Sequence, residues 1–475
     1  MNPVRIRIYH LGKWWQIDLF LEQYHSLILE KQAEGSILSL FFDCVFSALP
    51  PSLDIERIDI MNLISQLEKD ITFLTSPITA GRLSGTKGAF KAAQYLANEL
   101  ASAGYHHAQD NSFMQELTVP VTYLTGAPRL QIGDEVFQHR KDYGEISSMS
   151  TGGKFTGPLW VVRAGESHTV DDLRGKIVLI PERPPRFSPG ATARIAAESG
   201  VLALLVEAGE PKSFYKNPFY GEGLLPVLRV RSSVTKRMEQ IQGASVELDL
   251  PLERDRLSCN NVLGLLPGKG QDFTLLLTAH YDHVGDDPDG ARFPGAMDNA
   301  AGTAAVLAAA RQLANESLPF NLLIAFLTGE ECGLIGSKYL IEHSPLPFSA
   351  VVNLDVIGRE ARLNAMRIGH ARRGDWLAEL TAEVMEQHGI EPIWKTSGSD
   401  GSAFLKRGFT TVGLMEQPIG PTRTGMHVPT DTMESLYFEA IAEGVELLVD
   451  LVNTLAQKRA GEKLWTERRK NHVHE

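Results

Sequence analysis

Only three cysteines, Cys44, Cys259 and Cys332, occur among 475 residues. No disulfide framework holds such a chain together, although the count allows a single bridge. No run reaches the roughly 20 apolar residues that a membrane-spanning helix needs. The nearest, Ser36 to Leu53, carries Asp43 and ends in Pro50-Pro51. It also begins far from Met1 and follows acidic residues, which is not the form of a secretory signal. A soluble chain without a membrane span is expected, with cytoplasm and secretion both open. Positive charge is in short supply: 46 basic against 58 acidic side chains leave a net charge of −12. That balance argues against nucleic acid or an anionic membrane as the main partner. There is no internal repeat and no low-complexity tract, and nothing in the sequence speaks to oligomeric state.

Apolar residues at 43% and charged residues at 22% are ordinary for a globular protein, and the length suggests about two to four domains. In the first 53 residues nothing looks chemical, and Trp14, Trp15, Phe20 and Leu21 suggest a short packed helix. From Asp54 the pattern sharpens. Ile60, Leu63, Ile64 and Leu67 recur at helical spacing, which predicts a helix to about Thr75. A glycine-rich loop, Gly81 to Gly88, contains Arg82. A second amphipathic helix follows, with Phe90, Ala93, Leu96, Ala97 and Leu100 on one face and Gly104 placed to end it. Residues 120–255 read as short β-rich runs separated by Pro and Gly. They include a strand at Lys176 to Ile180, a helix at Ala191 to Glu198 and a strand at Val201 to Val206. From about Asn260 to Ala456, strands alternate with helices, which marks an α/β sheet.

Polar residues fall at the ends of the apolar strands of this last region. The strand Phe273 to Thr278 runs into Ala279-His280-Tyr281-Asp282-His283. The loop before the alanine-rich helix Asn299 to Leu313 holds Asp298, and the strand Leu322 to Thr328 runs into Gly329-Glu330-Glu331. Val351 to Leu354 ends in Asp355, and the strand Thr410 to Met415 precedes a loop with His427 and then Asp431. Ligands of open α/β sheets bind beyond the carboxyl ends of the strands. Imidazoles and carboxylates converging there suit zinc, and a metal pair about 3.5–4 Å apart needs a bridging ligand, for which a carboxylate is well suited. Glu330-Glu331 offers one carboxylate for metal and one for proton transfer. Asp298 is also well placed to cap the helix that follows it.

The order His-x-Asp, Asp-Asn, Glu-Glu, Asp, His over residues 256–455 resembles the M28 family of zinc aminopeptidases. That resemblance implies an α/β fold, a zinc-exopeptidase-like mixed sheet flanked by helices, with a smaller β-rich protease-associated domain inserted. It implies two zinc ions per chain, with His280 and Asp355 on one, Glu331 and His427 on the other, and Asp298 bridging. Glu330 would be the general base for a zinc-bound hydroxide, Asp282 would orient His280, and peptides with a free N-terminus would be the substrates. It divides the chain into an N-terminal extension (1–53), a helical start of the peptidase domain (54–119), a protease-associated-like insert (120–255), the two-zinc domain (256–458) and a charged tail (459–475). The interval from Asp355 to His427 already holds a strand, a helix and another strand, which leaves little room for the lid domain of the related M20 enzymes. One departure from the family pattern is Met426, where many members carry a tyrosine able to stabilise the oxyanion.

A carboxypeptidase-like or dipeptidase activity on the same fold is the alternative, with Arg359, Arg362 or Arg423 as candidates to hold a substrate carboxylate. A glutaminyl cyclase, with its single zinc, fits the full two-metal set less well. A metal-free binding protein of the same fold predicts missing ligands, and none is missing. Gly264 to Gly270 is too short for a phosphate loop and lacks the hydroxyl after Lys269. Ser397-Gly398-Ser399-Asp400-Gly401 is no nucleophile elbow, and reads equally as cleft wall or simple loop. Cys332 is expected as a small buried residue, and His106, His107, His472 and His474 as solvated.

Overall fold

The computed structural model describes residues 4–10, 13–19, 51–108, 111–183, 187–270, 272–369, 374–396 and 398–471. The chain divides into two units, Met1–Ser65 and Gln66–Glu475. In the first, Val4–His10 and Lys13–Leu19 form an antiparallel hairpin in which Ile8 pairs with Trp15 and Ile6 with Ile17. The packed helix expected around Trp14 and Trp15 is therefore a strand, while Phe20 and Leu21 lie outside the described residues. The reason is period: Val4, Ile6 and Ile8 alternate with Arg5, Arg7 and Tyr9, a two-residue repeat that suits a pleated strand and not a helix.

The second unit is a mixed α/β structure with two sheets. Four strands at the centre of the larger sheet run parallel, in the order Thr410–Glu416, Ala350–Leu354, Thr274–His280, Asn321–Leu327. Their sequences are near-continuous apolar runs because helices cover both faces, and all seven residues of Thr274–His280 and of Asn321–Leu327 are buried. The strand Leu252–Leu266 lies antiparallel on one side and Ala365–Gly369 antiparallel on the other. The helix Ala301–Leu313 contacts both the Thr274–His280 strand and the helix Phe438–Asn471. It is buried at every position from Ala301 to Ala310, which accounts for its alanines: small side chains let backbones approach on all sides. Because the central strands are parallel, their carboxyl ends meet along one edge.

The smaller sheet lies within residues 129–250, with Ile177–Ile180, Ala203–Glu207 and Val227–Val230 parallel at its centre over a core of Leu179, Leu205 and Leu228. Two long antiparallel strands, Met114–Leu124 and Leu252–Leu266, lead into and out of this body, paired from Met114 with Val262 to Leu124 with Leu252. Residues 120 and 255 fall inside these strands, so the chain enters and leaves the β-rich body without a flexible linker. A buried ion network also joins this body to the loop after the Thr274–His280 strand. Arg140 donates through Nε to Asp287 at 2.6 Å and through Nη2 to Glu145 at 2.8 Å, and Lys216 Nζ lies 2.8 Å from the same Asp287.

The helix Lys87–Ser102 starts at a Thr86 cap and buries Ala89, Ala92, Ala93, Leu96, Ala97 and Leu100. Phe90, expected on that face, is 51% exposed. The buried stripe runs from Ala89 in steps of three and four, and Phe90 stands about 100° around the helix from its start. Just before this helix, the short turn Ala80–Arg82 delivers a fully buried guanidinium. Arg82 donates to the carbonyls of Leu74 (2.6 Å), Tyr281 (2.7 Å), Pro294 (2.6 Å) and Gly295 (2.8 Å). Burial pulls its pKa down to about 10, against Asp431, Asp282, Asp298 and Glu331, which hold it up, so it keeps its charge at neutral pH.

Arg82→Met strands four carbonyls and removes the counter-charge of the acidic cluster, and a loss of about 3–5 kcal/mol in urea unfolding is expected; a loss below about 1 kcal/mol would contradict the clamp. The junction also has a pH signature. Burial raises the Glu145 pKa, but Arg140 and His139 outweigh it and hold the carboxyl well below its usual range. A depressed folded pKa stabilises above the unfolded value near 4.3 and loses that stabilisation as pH falls. Stability should thus decline below about pH 4, and Glu145→Gln should be weaker at neutral pH with a shallower acid limb. Equal limbs in the two proteins would remove the role.

Candidate metal centre

Each group at the carboxyl edge is positioned by a backbone element. His280 ends the Thr274–His280 strand, and its carbonyl accepts from Thr303 Oγ1 at 2.7 Å. Asp355 follows the neighbouring strand, and Glu330 and Glu331 follow the strand on the other side. Asp298 sits in the turn before the alanine-rich helix. That helix has Ala300 at its N-cap with no side-chain bond, so the capping role weighed for Asp298 is not realised. Its carboxylate faces elsewhere, and its own N–H donates to Asp431 Oδ2 at 3.2 Å, while Met297 N–H donates to Oδ1 at 2.8 Å. Asn299 ties the same turn to the next strand, donating to the Leu354 carbonyl and accepting from Val356 N–H.

The side chains converge in two sets that share Asp298. His280 Nε2 lies 3.1 Å from Asp355 Oδ1 and 3.5 Å from Asp298 Oδ1. On the other side, His427 Nε2 lies 3.1 Å from Asp298 Oδ2 and 2.9 Å from Glu331 Oε2. The two oxygens of one carboxylate thus address two imidazoles. In each of the trios His280–Asp298–Asp355 and His283–Asp298–Glu331, the potential ligand atoms lie within 4.8 Å of one another. Asp282, fully buried, comes 3.6 Å from His280 Nδ1. It also accepts from Ser84 Oγ and from the N–H groups of Glu330 and Glu331, at 3.1, 3.2 and 3.4 Å. It therefore holds the glutamate turn as well as facing the imidazole.

Electrostatics test whether this donor set suits a cation. Burial alone lowers the pKa of an imidazole. In His427 that penalty is overcome by Glu331 and Asp298, which push the pKa up to about 12. His280 is likewise raised well above its ordinary value despite burial, by Glu330 and Asp355. Glu330 is raised by burial and by the nearby Glu331 and Asp355. The carboxylates draw positive charge onto His280 and His427, whereas burial lowers the pKa of His283 and favours its neutral, metal-binding form, and such a set of nitrogen and oxygen donors fits divalent metal. A cavity of about 490 Å³ opens over it, with Glu330, Asp355 and His427 in its wall.

Several residues of the centre had no role in the sequence reading. His283 is fully buried, with Nδ1 3.0 Å from Glu331 Oε1, Nε2 without a partner among the described residues, and its ring 5.6 Å from that of His427. Gly295 makes room for it: the backbone there has φ of +59°, and a Cβ would stand 2.4 Å from the His283 ring. The signal was its place one residue beyond Asp282. Ser84, Arg82 and Lys216 come from distant segments; the glycine-rich loop holds the first two, and no local pattern marks Lys216. Asp400 is fully buried, and burial raises its pKa to about 7. Gly398 lines the cavity, Cys332 is buried, and His106 and His107 are exposed. Ser397, His472 and His474 lie outside the described residues.

Known aminopeptidases are similar to this chain in sequence and in fold. The chain is 26% identical over 216 residues to a probable leucine aminopeptidase of Trichophyton verrucosum, a match covering 41% of this chain and 56% of that protein. It is 25% identical over 324 residues to aminopeptidase YwaD of Bacillus subtilis, covering 64% and 68%. The fold is that of a zinc aminopeptidase from Bacillus subtilis (TM-score 0.62, 18% identity, 82% of this chain and 95% of that one). An aminopeptidase from Aneurinibacillus sp. strain AM-1 is similar as well (TM-score 0.60, 21% identity, 83% and 93%). Residues 261–452 match peptidase family M28. The match to peptidase family M28 spans the part of the chain that holds the parallel strands and the shared carboxylate Asp298.

Proposed function

We propose that the protein is a two-zinc aminopeptidase that removes residues from the free N-terminus of peptides. The observation that carries this reading is Asp298, whose two oxygens face His280 and His427 separately. On this reading His280 and Asp355 hold one zinc, Glu331 and His427 the other, and Asp298 bridges them. His283 fixes the Glu331 carboxylate through Nδ1, and Asp282 orients His280. When bound, the zinc pair supplies a Lewis acid for the scissile carbonyl and a water of lowered pKa. Glu330 lies at the cavity and takes the proton of that water, then returns it to the leaving amine. Raised pKa values of this kind suit a carboxyl group that must hold and release a proton.

The cavity favours an amino terminus over a carboxylate. Among the described residues its wall has no arginine or lysine, and it combines carboxylates with Phe219, Leu334, Met415 and Met426. The arginines considered for a carboxypeptidase are engaged elsewhere: Arg362 pairs with Glu443, and Arg423 donates to the Glu434 carbonyl and covers the Tyr437 ring. Arg359 does not line the cavity either. Met426 does line it and offers no hydrogen-bond donor, so it would not supply the oxyanion contact that a tyrosine there could make.

Aminoacyl-amide reporters with free N-termini should be cleaved in added zinc, acetylated ones should not, and a chelator should abolish the activity; cleavage of blocked dipeptides instead would favour the carboxypeptidase. Glu330→Gln should keep both zinc ions by metal analysis while kcat falls about 10²–10⁴-fold. Near-full turnover in that variant would remove Glu330 from its role.

A further inference from the structure

The β-rich body sends one segment to the metal centre. Phe214 to Tyr220 carries four aromatic residues, and several of its backbone groups are anchored. Arg229 donates to the Tyr215 carbonyl at 2.6 Å, Thr122 N–H to the Pro218 carbonyl at 3.0 Å, and Thr122 Oγ1 to the Phe219 carbonyl at 3.2 Å. Arg254 holds the next carbonyl but one, that of Gly221, at 2.6 Å. Asn217 caps the bend by accepting Phe219 N–H at 2.7 Å. A segment with this density of bonds is a built part of the molecule and not a passing loop.

Two of its residues reach the candidate centre directly. Lys216 N–H donates to the carbonyl of His427 at 3.0 Å. His427 has φ of +58°, a conformation that a non-glycine residue holds only when its surroundings fix it. The Lys216 side chain, 3% exposed, is itself fixed by Asp287 at 2.8 Å and the Gly285 carbonyl at 2.9 Å. Phe219 lines the cavity and is 45% exposed. Its ring lies against Gly333, where a Cβ would come within 2.9 Å of it.

We propose that this segment is a strap that completes the substrate cleft, with Phe219 as a specificity-determining side chain and Lys216 as the positioning residue that pins His427. The proposal rests on the two-zinc aminopeptidase reading. Phe219, with Leu334, Met415 and Met426, forms an apolar wall beside the carboxylates, so the side chain it selects is a large apolar one at the substrate's N-terminus. Lys216 carries the geometry of the buried ion network to one metal position and not to the other.

Two readouts on the full chain test this separately. In zinc-loaded protein, Phe219→Ala should lower kcat/KM for leucyl and phenylalanyl reporters on the order of tenfold, through KM, with the alanyl reporter nearly unchanged. An unchanged ratio between large and small residues overturns the specificity role. Zinc release to a graded chelator is then followed without substrate. Lys216→Met should release one of its two ions at about tenfold lower chelator concentration and the other at the wild-type concentration. A general loss of structure would weaken both sites together, and release of both at shifted or unshifted concentration overturns the positioning role. If the wild type cleaves no reporter, the aminopeptidase reading fails on its own, and the metal titration still decides for or against Lys216.

Discussion

Everything at the carboxyl edge of the sheet answers to one constraint: Asp298, Glu331, Asp355 and Asp282 are carboxylates that the fold buries almost on top of one another. Removing charge from water is expensive, and several like charges together more so. The chain meets this demand with imidazoles drawn between the carboxylates, with backbone N–H groups aimed at Asp282 and Asp431, and with the buried guanidinium of Arg82. Arg82 spends all of its named hydrogen bonds on carbonyls and none on an acid. It therefore offsets the negative field without occupying a carboxylate oxygen, and the faces of Asp298 that point to His280 and His427 stay available.

The same economy explains how the site is held together by so little regular structure. Parallel strands bring His280, Asp355 and the glutamate turn to one edge because their register is fixed by buried apolar side chains. Asp298 and His427 come from loops, where no ladder fixes them. Each is held instead by a buried polar contact: Asp431 and Asn299 for the first turn, the Lys216 N–H for the second. Such contacts are specific where apolar packing would allow a shift of an ångström, which matters when two imidazoles must address opposite oxygens of one carboxylate.

What the sequence disclosed follows the range over which its signals act. Apolar runs ending in His280, Glu330-Glu331 and Asp355 were legible because strand and polar residue are contiguous, and chain order alone then set them side by side in a parallel sheet. His283 stood in the quoted motif but had no partner until the fold brought Glu331 to it. Arg82, Ser84 and Lys216 were illegible as parts of the centre for the opposite reason: their contacts span long sequence separations and leave no periodic trace. The two failures of local reading were also failures of period. The tryptophans near the start suggest a helix, but their neighbours alternate in twos and form a strand, and Phe90 stands on a face that the helix turns to solvent. Asp298 shows a subtler limit, since an acid just before a helix is a plausible cap, and only tertiary demand turns it toward the imidazoles.

Besides the paired strands, a buried ion network ties the β-rich body to the edge of the sheet, and it has a physical consequence. A buried pair such as Arg140 with Asp287 contributes little net stability, because desolvation consumes most of the attraction. What it adds is a unique arrangement: Asp287 receives both Arg140 and Lys216, and neither can move without leaving a charge unpaired. Lys216 is thereby fixed at its side chain, and its backbone N–H is fixed with it against the carbonyl of His427. Apolar contact over the same surface would hold the body on the sheet but would tolerate sliding. The ion network does not tolerate it, and so the left-handed backbone at His427 is held by a part of the chain more than two hundred residues away in sequence.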